Sequence, residues 1–594
     1  MKQLQALLPY LRVYRWRIAA GLVLVVVSNA LTVAAPYFIK LGVDALGRPG
    51  ANSSLLLRYA SLSVLVTVLG GAARFAMRDL LNGVSRHVET DLRNDLFAHL
   101  LRLDARFYAR YATGEIMSRA TNDLQAVRMV AGPAYMYLAN TVAVGAFAIT
   151  LMVWIDPRMT RIALLPLLLL PPITIIFGRI IHQRFEKIQG QFGVLSTLVQ
   201  ENLAGVRIVK AYQQEAAQTE AFRGLAEAYM EQNVDLARRS GLFHPSLTLL
   251  GGLAMALALG VGGRAIMAGA ITVGDFVAFT LYLGMLGWPM ISLGWVTNLF
   301  QRGAASMGRI SELLLAEPEV AEPREPVRVR EIRGALEFRG VNFRYPGSDR
   351  YVLQDVSFRV PAGATLAIIG PTGAGKSTVV SLLARLYDPT AGEVLLDGVP
   401  LHRWPVAQLR GAIGIVPQDA FLFSETIAAN LGFGFDEPDP GTSARRIARA
   451  AGVAQLHDTI VAFPGGYQTL LGERGINLSG GQKQRATLAR AVARDPRVLL
   501  LDDALSAVDT HTEMEILAGL RSVLAGRTSV IVSHRVSATM HADHIVVLYG
   551  GCVAEQGTHA TLLRSGGLYA RLQRRQLLAE EVGDDTLAST LNDA

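Results

Sequence analysis

The residues from Gly370 to Thr378 read GPTGAGKST, which combines three glycines with a lysine, a serine and two threonines. Glycines let backbone N–H groups come close to phosphate oxygens, and a helix that starts behind them adds its positive end. An apolar stretch at 367–369 precedes the loop and a helical run follows it, which is the context that this pattern requires. The spacing therefore predicts a loop that binds the phosphates of a nucleotide.

Two further motifs follow in a fixed order, LSGGQ at Leu478–Gln482 and VLLLDD at Val498–Asp503. The two glycines of LSGGQ let its backbone approach a phosphate, and Ser479 adds a hydroxyl. In the third motif an apolar strand leads into Asp502 and Asp503. The three motifs together indicate a domain that hydrolyses ATP.

The chain resembles the ATP-binding cassette (ABC) transporter family on these motifs, and the resemblance runs through nearly all 594 residues. It implies that ATP is bound by the phosphate loop of one subunit and by the LSGGQ signature of another. The matching nucleotide-binding residues are Gly370, Thr372, Gly373, Ala374, Gly375, Lys376, Ser377 and Thr378 in the loop, Ser479, Gly480, Gly481 and Gln482 in the signature, and Tyr345, the aromatic residue that stacks on adenine.

The resemblance also assigns roles around the reacting phosphate. Ser377, Asp502 and Gln418 match the residues that hold Mg²⁺, and Gln418 also matches a contact to the attacking water. His534, in VSHRV, matches the switch histidine that contacts the γ-phosphate. These assignments, with Asp503, define the predicted catalytic centre.

Asp503 departs from the family pattern, because these ATPases usually carry the catalytic glutamate at its position. The aspartate carboxylate is one methylene shorter and stands back from the water, and losing a positioned general base costs about 10²–10⁴-fold in rate. We expect a heterodimer in which Lys376, Asp502 and Asp503 form a slow, mainly ATP-holding site, while the intact LSGGQ completes the active site of a partner that has the glutamate. A homodimer that tolerates the conservative change is the alternative.

Apolar runs dominate the first half of the chain, and a helix needs about 20 residues to cross hydrocarbon. Six such runs are present, five without any charge. The sixth, Tyr59–Met77, contains Arg74, whose long side chain is expected to reach the interface. A buried core helix is the alternative for the shortest run. The runs without any charge are Ile18–Ile39, Met129–Ile155, Ile162–Phe177, Gly241–Gly263 and Phe276–Gln301.

The predicted fold is a membrane α-helical domain with six transmembrane helices, the ABC exporter fold, fused to an α/β P-loop ATP-binding domain. Within the first domain, Phe107–Asp123 and Gln200–Glu215 resemble the two intracellular coupling regions of ABC exporters. Pro289 is expected to kink the sixth span. The expected division is a transmembrane domain at 1–315, a proline- and glutamate-rich linker at 316–333, a nucleotide-binding domain at 334–574 and an acidic tail at 575–594.

The net charge of +8 reflects topology, since the basic residues are concentrated in the long segments between the predicted helices. By the positive-inside rule these segments are cytoplasmic, which places both termini on the cytoplasmic side as well. The family resemblance suggests that the membrane is a bacterial inner membrane. Contact with anionic lipid explains the charge better than nucleic acid does, because no basic face with stacking aromatics is present. Cys552, the only cysteine, excludes a disulfide within one subunit.

One set of motifs and six spans make a half-transporter, which has to dimerise. The apolar runs contain no Asp or Glu for a proton relay, so ATP supplies the energy. Residues of the fifth and sixth helices are candidates to line a cavity for small amphipathic substrates, such as drugs, lipids or peptides. They are Tyr282, Trp288, Trp295, Asn298, His244 and Thr248. The alternatives are an ATP-gated regulatory or channel-like membrane protein and a homodimeric lipid exporter.

Overall fold

The computed structural model describes residues 2–47, 53–327, 331–472, 475, 477–506, 508, 510–534, 536 and 539–577. The chain divides into two compact units. The helical unit consists of Met1–Leu101 and Thr113–Ala316, and the α/β unit consists of Arg102–Ala112 and Glu317–Ala594.

The first half of the chain folds into helices, which two π-helical turns at Arg119–Asp123 and Val130–Ala134 interrupt. In chain order the α-helices are α1 Leu8–Val13, α2 Arg15–Leu46, α3 Ser53–Leu100, α4 Ala105–Arg110, α5 Thr113–Ser118, α6 Leu124–Met129, α7 Tyr135–Ile155, α8 Pro157–Leu167, α9 Leu170–Ala204, α10 Val206–Ala211, α11 Glu215–Gly241, α12 Phe243–Met267, α13 Val273–Met285 and α14 Gly287–Leu314. All but α4 lie in the helical unit.

Six helical stretches among the described residues are long and apolar enough to cross a membrane. Each contains one of the six predicted apolar runs, so the predicted number of spans is confirmed. The shortest run continues as helix to Ala204, far beyond the length of a buried core helix. The stretches are Arg15–Leu46, Ser53–Leu100, Thr113–Ile155, Pro157–Ala204, Glu215–Met267 and Val273–Leu314.

The last of these stretches is divided in two by a proline. Pro289 has no N–H to donate, and its ring excludes the carbonyl group four residues earlier, which belongs to Met285. Helix α13 ends at Met285 and α14 starts at Gly287, while Pro289 itself is buried. The proline that predicts a kink therefore accounts for the end of α13.

The α/β unit contains α4 and two sheets. Its strands are β1 Leu336–Phe343, β2 Leu353–Val360, β3 Thr365–Ile369, β4 Ala391–Leu396, β5 Val399–Pro400, β6 Ile413–Val416, β7 Val498–Asp502, β8 Thr528–Val532, β9 His544–Tyr549 and β10 Cys552–Gly557. Its further helices are α15 Lys376–Leu383, α16 Val406–Gly411, α17 Ile427–Gly432, α18 Pro440–Val453, α19 His457–Val461, α20 Gly480–Ala493, α21 Thr510–Leu524 and α22 His559–Ser565.

The larger sheet has the strand order β10-β9-β3-β8-β7-β6, and all of its strands except β10 run parallel. Strand β7 is buried along its whole length, as expected for a central parallel strand that is covered on both faces. The smaller antiparallel sheet has the order β2-β1-β4-β5. The parallel arrangement brings the carboxyl ends of β3, β8, β7 and β6 to one edge.

Asp104 connects α4 to the segment after Ala316. One of its carboxylate oxygens caps α4 by accepting a hydrogen bond from the Phe107 N–H at 3.1 Å. The other accepts from the N–H groups of Glu319 at 2.6 Å and Val320 at 3.0 Å. Arg106 and Glu319 form an ion pair beside it. The first part of the predicted linker is therefore bound to α4.

We expect Asp104→Ala to release this segment, because three backbone N–H groups lose a charged acceptor worth about 1.5–3 kcal/mol. Tryptic cleavage after the exposed Arg324 should become about tenfold faster, as followed by mass spectrometry of the timed digest. Asp349→Ala, in which another acidic residue near Tyr345 is removed, is the matched control. Equal cleavage rates for the two variants would contradict the role of Asp104.

Candidate nucleotide-binding site

The predicted site residues lie at the carboxyl edge of the parallel sheet. The phosphate loop follows β3, Asp502 ends β7, His534 follows β8 and Gln418 follows β6. Ligands of open α/β sheets bind outside the carboxyl ends of the strands. Four separate sequence motifs are therefore brought to one edge by strand order alone.

Glycines give the phosphate loop its shape. Gly373 and Gly375 have φ angles of +79° and +97°, a region that other residues rarely adopt. A Cβ atom on Gly375 would also lie 2.6 Å from a Leu353 methyl carbon. Helix α15 then starts at Lys376 without a side-chain cap, so its first N–H groups remain free of side-chain acceptors. This helix end fits an anion such as a phosphate.

The side chain of Lys376 folds back onto the phosphate loop. Its side chain is buried, and Nζ donates to the carbonyl oxygens of Gly370 at 2.9 Å and Pro371 at 3.0 Å. Burial lowers the pKa of the lysine, while the charges of Asp503 and Asp502 oppose this shift. The ammonium group is thus held beside the phosphate-binding N–H groups, where it can neutralise phosphate charge.

Ser377 and Asp502 form the predicted metal pair. The Ser377 hydroxyl donates to Asp502 Oδ1 at 3.0 Å, and Asp502 is buried. Burial raises the pKa of the Asp502 carboxyl, although the Ser377 hydrogen bond opposes this. A cation would stabilise the ionised carboxylate. Since a hydroxyl and a carboxylate are the hard oxygen ligands that Mg²⁺ prefers, these residues fit the metal.

Gln418 lies exposed beyond the end of β6. Within the described ranges it forms no hydrogen bond with Ser377 or Asp502, the predicted metal pair. Its roles toward the metal and the attacking water remain predictions.

Asp503 has a left-handed backbone conformation, with φ at +48°. Its N–H donates to the Val532 carbonyl oxygen at 3.0 Å, which ties it to the end of β8. The residue lines a cavity of about 100 Å³ together with His534 and Glu513. The structure therefore brings Asp503 and His534 to one cavity, beside a buried glutamate that the sequence motifs did not reveal.

A hydrogen-bonded connection joins the signature helix to the Asp503 loop. Gln484, in α20, donates from Nε2 to Ser506 Oγ at 2.9 Å, and the Ser506 hydroxyl donates to the Asp503 carbonyl oxygen at 3.0 Å. Gln484 is buried, although it follows the polar signature by only two residues. The sequence analysis missed this residue because amphipathic spacing alone does not identify its partner.

The signature forms the start of α20. Ser479 and Gln482 make a capping box, in which the Gln482 N–H donates to Ser479 Oγ at 3.3 Å and the Ser479 N–H donates to Gln482 Oε1 at 2.9 Å. Gly480 and Gly481 are the first residues of the helix. Within the part of the chain that the structure describes, no hydrogen bond links the signature to the phosphate loop of the same chain.

Tyr345 lies beside α15. Its hydroxyl forms a hydrogen bond with the Thr378 hydroxyl at 3.0 Å. Its ring is nearly perpendicular to the rings of Phe343 and Tyr387 in T-shaped contacts, with centroid distances of 4.9 and 5.5 Å. The structure therefore brings the predicted adenine-stacking residue to the phosphate-loop helix, and the stacking itself remains a prediction.

Gln576 holds the segment that contains the predicted switch histidine. Its Nε2 donates to the carbonyl oxygen of His534, and its Oε1 accepts from the Val536 N–H at 2.7 Å. The sequence analysis missed this residue, since it lies beyond residue 574 in the predicted tail. A backbone-binding glutamine has no sequence signature.

The membrane-capable helices, the parallel sheet and the nucleotide-binding edge define an ABC transporter. The family pattern described as ABC transporter transmembrane region matches residues 18–290, and the one described as ABC transporter matches residues 353–506. The chain belongs to this family and is an ABC transporter ATPase, an exporter half-transporter with both domains in one polypeptide.

Particular relatives cover nearly the whole chain. It is 36% identical to the probable multidrug resistance ABC transporter ATP-binding/permease protein YheI of Bacillus subtilis, over 97% of this chain and 98% of the relative. It is 36% identical to the multidrug resistance-like ATP-binding protein MdlA of Escherichia coli, over 96% of each. A bacterial Atm1-family ABC exporter, solved with ATP bound, matches with a TM-score of 0.78 and 32% identity, over 95% of this chain and 99% of that one.

We expect Gln576→Ala to weaken the His534 segment. The Val536 amide would lose an acceptor worth about 1 kcal/mol, so its hydrogen exchange should become roughly five- to tenfold faster. Arg575→Ala is the matched control, because within the described ranges Arg575 makes no hydrogen bond. Hydrogen exchange resolved at Val536 checks the prediction, and equal rates in the two variants would refute it.

Proposed function

We propose that this chain is one half of a heterodimeric exporter that uses ATP to move amphipathic compounds across the bacterial inner membrane, with both termini in the cytoplasm. The proposal rests on Asp503, which follows Asp502 at the end of β7, where a glutamate is expected from the family resemblance. Two relatives that share 36% identity with the chain are described as multidrug resistance proteins. This similarity supports drugs or related amphipathic compounds as substrates.

The proposed role of this chain's own site is to hold ATP. The N–H groups of α15 and the ammonium group of Lys376 bind the phosphates, and Tyr345 supports the base. Ser377 and Asp502 hold Mg²⁺, which neutralises phosphate charge when it is bound. The Asp503 carboxylate is too short to position water well for attack. ATP therefore stays bound here for longer than at a site with a glutamate.

The proposed second site combines this chain's signature with the partner's phosphate loop. Helix α20 presents its glycine-rich start to the nucleotide, and ATP binding closes the two halves together. The hydrogen bonds from Gln484 through Ser506 to the Asp503 loop connect the two sites within this chain. Closure turns an inward-open cavity outward, and hydrolysis at the partner's site resets it.

Native mass spectrometry of the complex, purified from its host through a tag on this chain, tests the heterodimer. We expect two different subunit masses, because a dimer of this chain alone would have no catalytic glutamate at either site. One repeated mass would overturn the asymmetric cycle.

Asp503→Asn tests the same proposal kinetically. We expect the rate of ATP hydrolysis by the complex to stay within about threefold of wild type, since the water is positioned elsewhere. Conversion of the partner's catalytic glutamate to glutamine is the matched control and should lower the rate by about 10²–10⁴-fold. A fall of that size in Asp503→Asn would instead make Asp503 the general base.

Transport into inverted membrane vesicles separates a pump from an ATP-gated channel. We expect a fluorescent amphiphile to accumulate above its external concentration with ATP, and Lys376→Ala to slow this accumulation because ATP is held less tightly. Equilibration without accumulation would support a gated pathway and contradict export. Normal accumulation in Lys376→Ala would refute any role for this chain's own nucleotide site.

A further inference from the structure

A cavity of about 240 Å³ lies within the helical unit. It is lined by residues of α2, α3, α7, α13 and α14, so it lies between helices rather than on one surface. Ligand pockets usually measure about 300–1,000 Å³, so this volume accommodates one end of a small amphipathic molecule. The site lies outside the nucleotide-binding edge and has no role in the ATP chemistry described above.

Two arginines line this cavity, Arg74 and Arg78, which are four residues apart on α3 and therefore share a face. The sequence suggests that Arg74 reaches the membrane interface, and this position stays a prediction. Its Nη2 donates to the Thr32 hydroxyl of α2 at 2.9 Å. No acidic residue is among the described residues that line the cavity, and none forms an ion pair with either arginine.

The cavity lies beside the middle of α2, while on α3 Arg74 lies near the end of the predicted run Tyr59–Met77 and Arg78 follows it directly. Asn29 and Thr32 line the cavity, and along α2 they lie roughly 21 Å from Arg15 and roughly 21 Å from Leu46, respectively. Ionisable residues in or next to membrane spans are rare, and they mark substrate pathways or pair with opposite charges. Since the described lining offers no carboxylate, an anion from outside the chain is the partner that the charges fit.

A buried acceptor next to the arginines also lacks a partner. Asn29 is 1% exposed, and its Nδ2 donates to the Val25 carbonyl oxygen at 2.8 Å and to Asn140 Oδ1 at 3.0 Å. Among the described residues, its Oδ1 has no hydrogen-bond partner. A buried polar atom without a partner is costly, and this one belongs to a residue that lines the cavity.

Apolar side chains complete the lining. Trp288, Tyr137, Met136 and Met285 supply aromatic and flexible apolar surface, which suits rings and chains of varied shape. Tyr282, which the sequence also suggests for a cavity, is instead buried in the helix core. Trp288 therefore lines the site, whereas Tyr282 supports the bundle.

We propose that this cavity binds the anionic headgroup of an amphipathic molecule, with Arg74 and Arg78 on a sulfonate, carboxylate or phosphate and the aromatic residues on its apolar part. The inference rests on the proposed function, since it names the substrate class that the exporter selects. Arg74 and Arg78 are specificity-determining residues in this account. Thr32 positions Arg74.

Two dyes with the same rings test the charge preference. Anilinonaphthalene sulfonate is an anion, and N-phenylnaphthylamine lacks the sulfonate. The full complex is titrated in phosphatidylcholine nanodiscs without nucleotide, and the signal of empty nanodiscs is subtracted. Replacing both arginines by glutamine should weaken anion binding by about tenfold or more while neutral-dye binding stays within about twofold. Arg58→Gln, an exposed arginine on the same helix, is the matched control and should change neither.

Charge and geometry are separated by Arg74→Lys with Arg78→Lys, which keeps both charges and should retain most of the anion affinity. Equal weakening of both dyes in the glutamine variant, or unchanged anion binding, would overturn the site. Addition of phosphatidylglycerol to the nanodiscs shows the source of the natural anion. If the lipid displaces anilinonaphthalene sulfonate, the natural anion is a lipid headgroup. If the lipid does not displace the dye, the natural anion is a free amphiphile.

The same dyes in inverted vesicles keep the two proposals apart. Arginine-dependent binding without ATP-driven accumulation would refute export and leave the anion site standing. If each dye accumulates in the glutamine variant at the same rate as in wild type, the anion site is refuted and export stands.

Discussion

The nucleotide-binding edge depends on the hydrogen bond between Ser377 and Asp502, because it joins elements from opposite sides of β8. Ser377 belongs to the helix that follows β3, and Asp502 ends β7. With this contact in place, the buried Lys376 and the carboxylates after β7 face the same phosphate-binding helix end. A carboxylate that burial makes costly to ionise is stabilised by a cation at this point. Binding of the expected Mg²⁺ and nucleotide would therefore be coupled to the packing of the sheet.

The second organising feature is the connection from Gln484 to the Asp503 loop. In a dimer where each nucleotide lies between one phosphate loop and the other subunit's signature, α20 and Asp503 serve different nucleotides. Gln484 and Ser506 join them through two hydrogen bonds of 2.9 and 3.0 Å. A shift of α20 when it meets a nucleotide therefore reaches the backbone of Asp503. An exporter with unequal sites needs such a path if the slow site is to influence the fast one.

Local pattern predicts much of this molecule. Six apolar runs predict six spans, since spanning length is a property of each run by itself, and the phosphate loop is recognisable because its glycines and lysine lie within nine residues. Contacts between distant segments have no such signature. Gln576 binds a backbone 42 residues away, and Glu513 and His534 meet only because β7 and β8 are neighbours. The hydrogen bond from Arg74 to Thr32 has no local signature either, since Thr32 is on another helix.

Gln576 also determines where the polypeptide can be shortened. A truncation after residue 574 removes an apparently dispensable acidic end, yet it also removes both hydrogen bonds to the backbone around His534. In a protein trimmed there, the segment around His534 would lose an anchor. Affinity tags and protease sites belong beyond residue 577. If a trimmed protein shows altered ATP turnover, the loss of the Gln576 hydrogen bonds explains the change as well as the loss of the tail's acidic residues does.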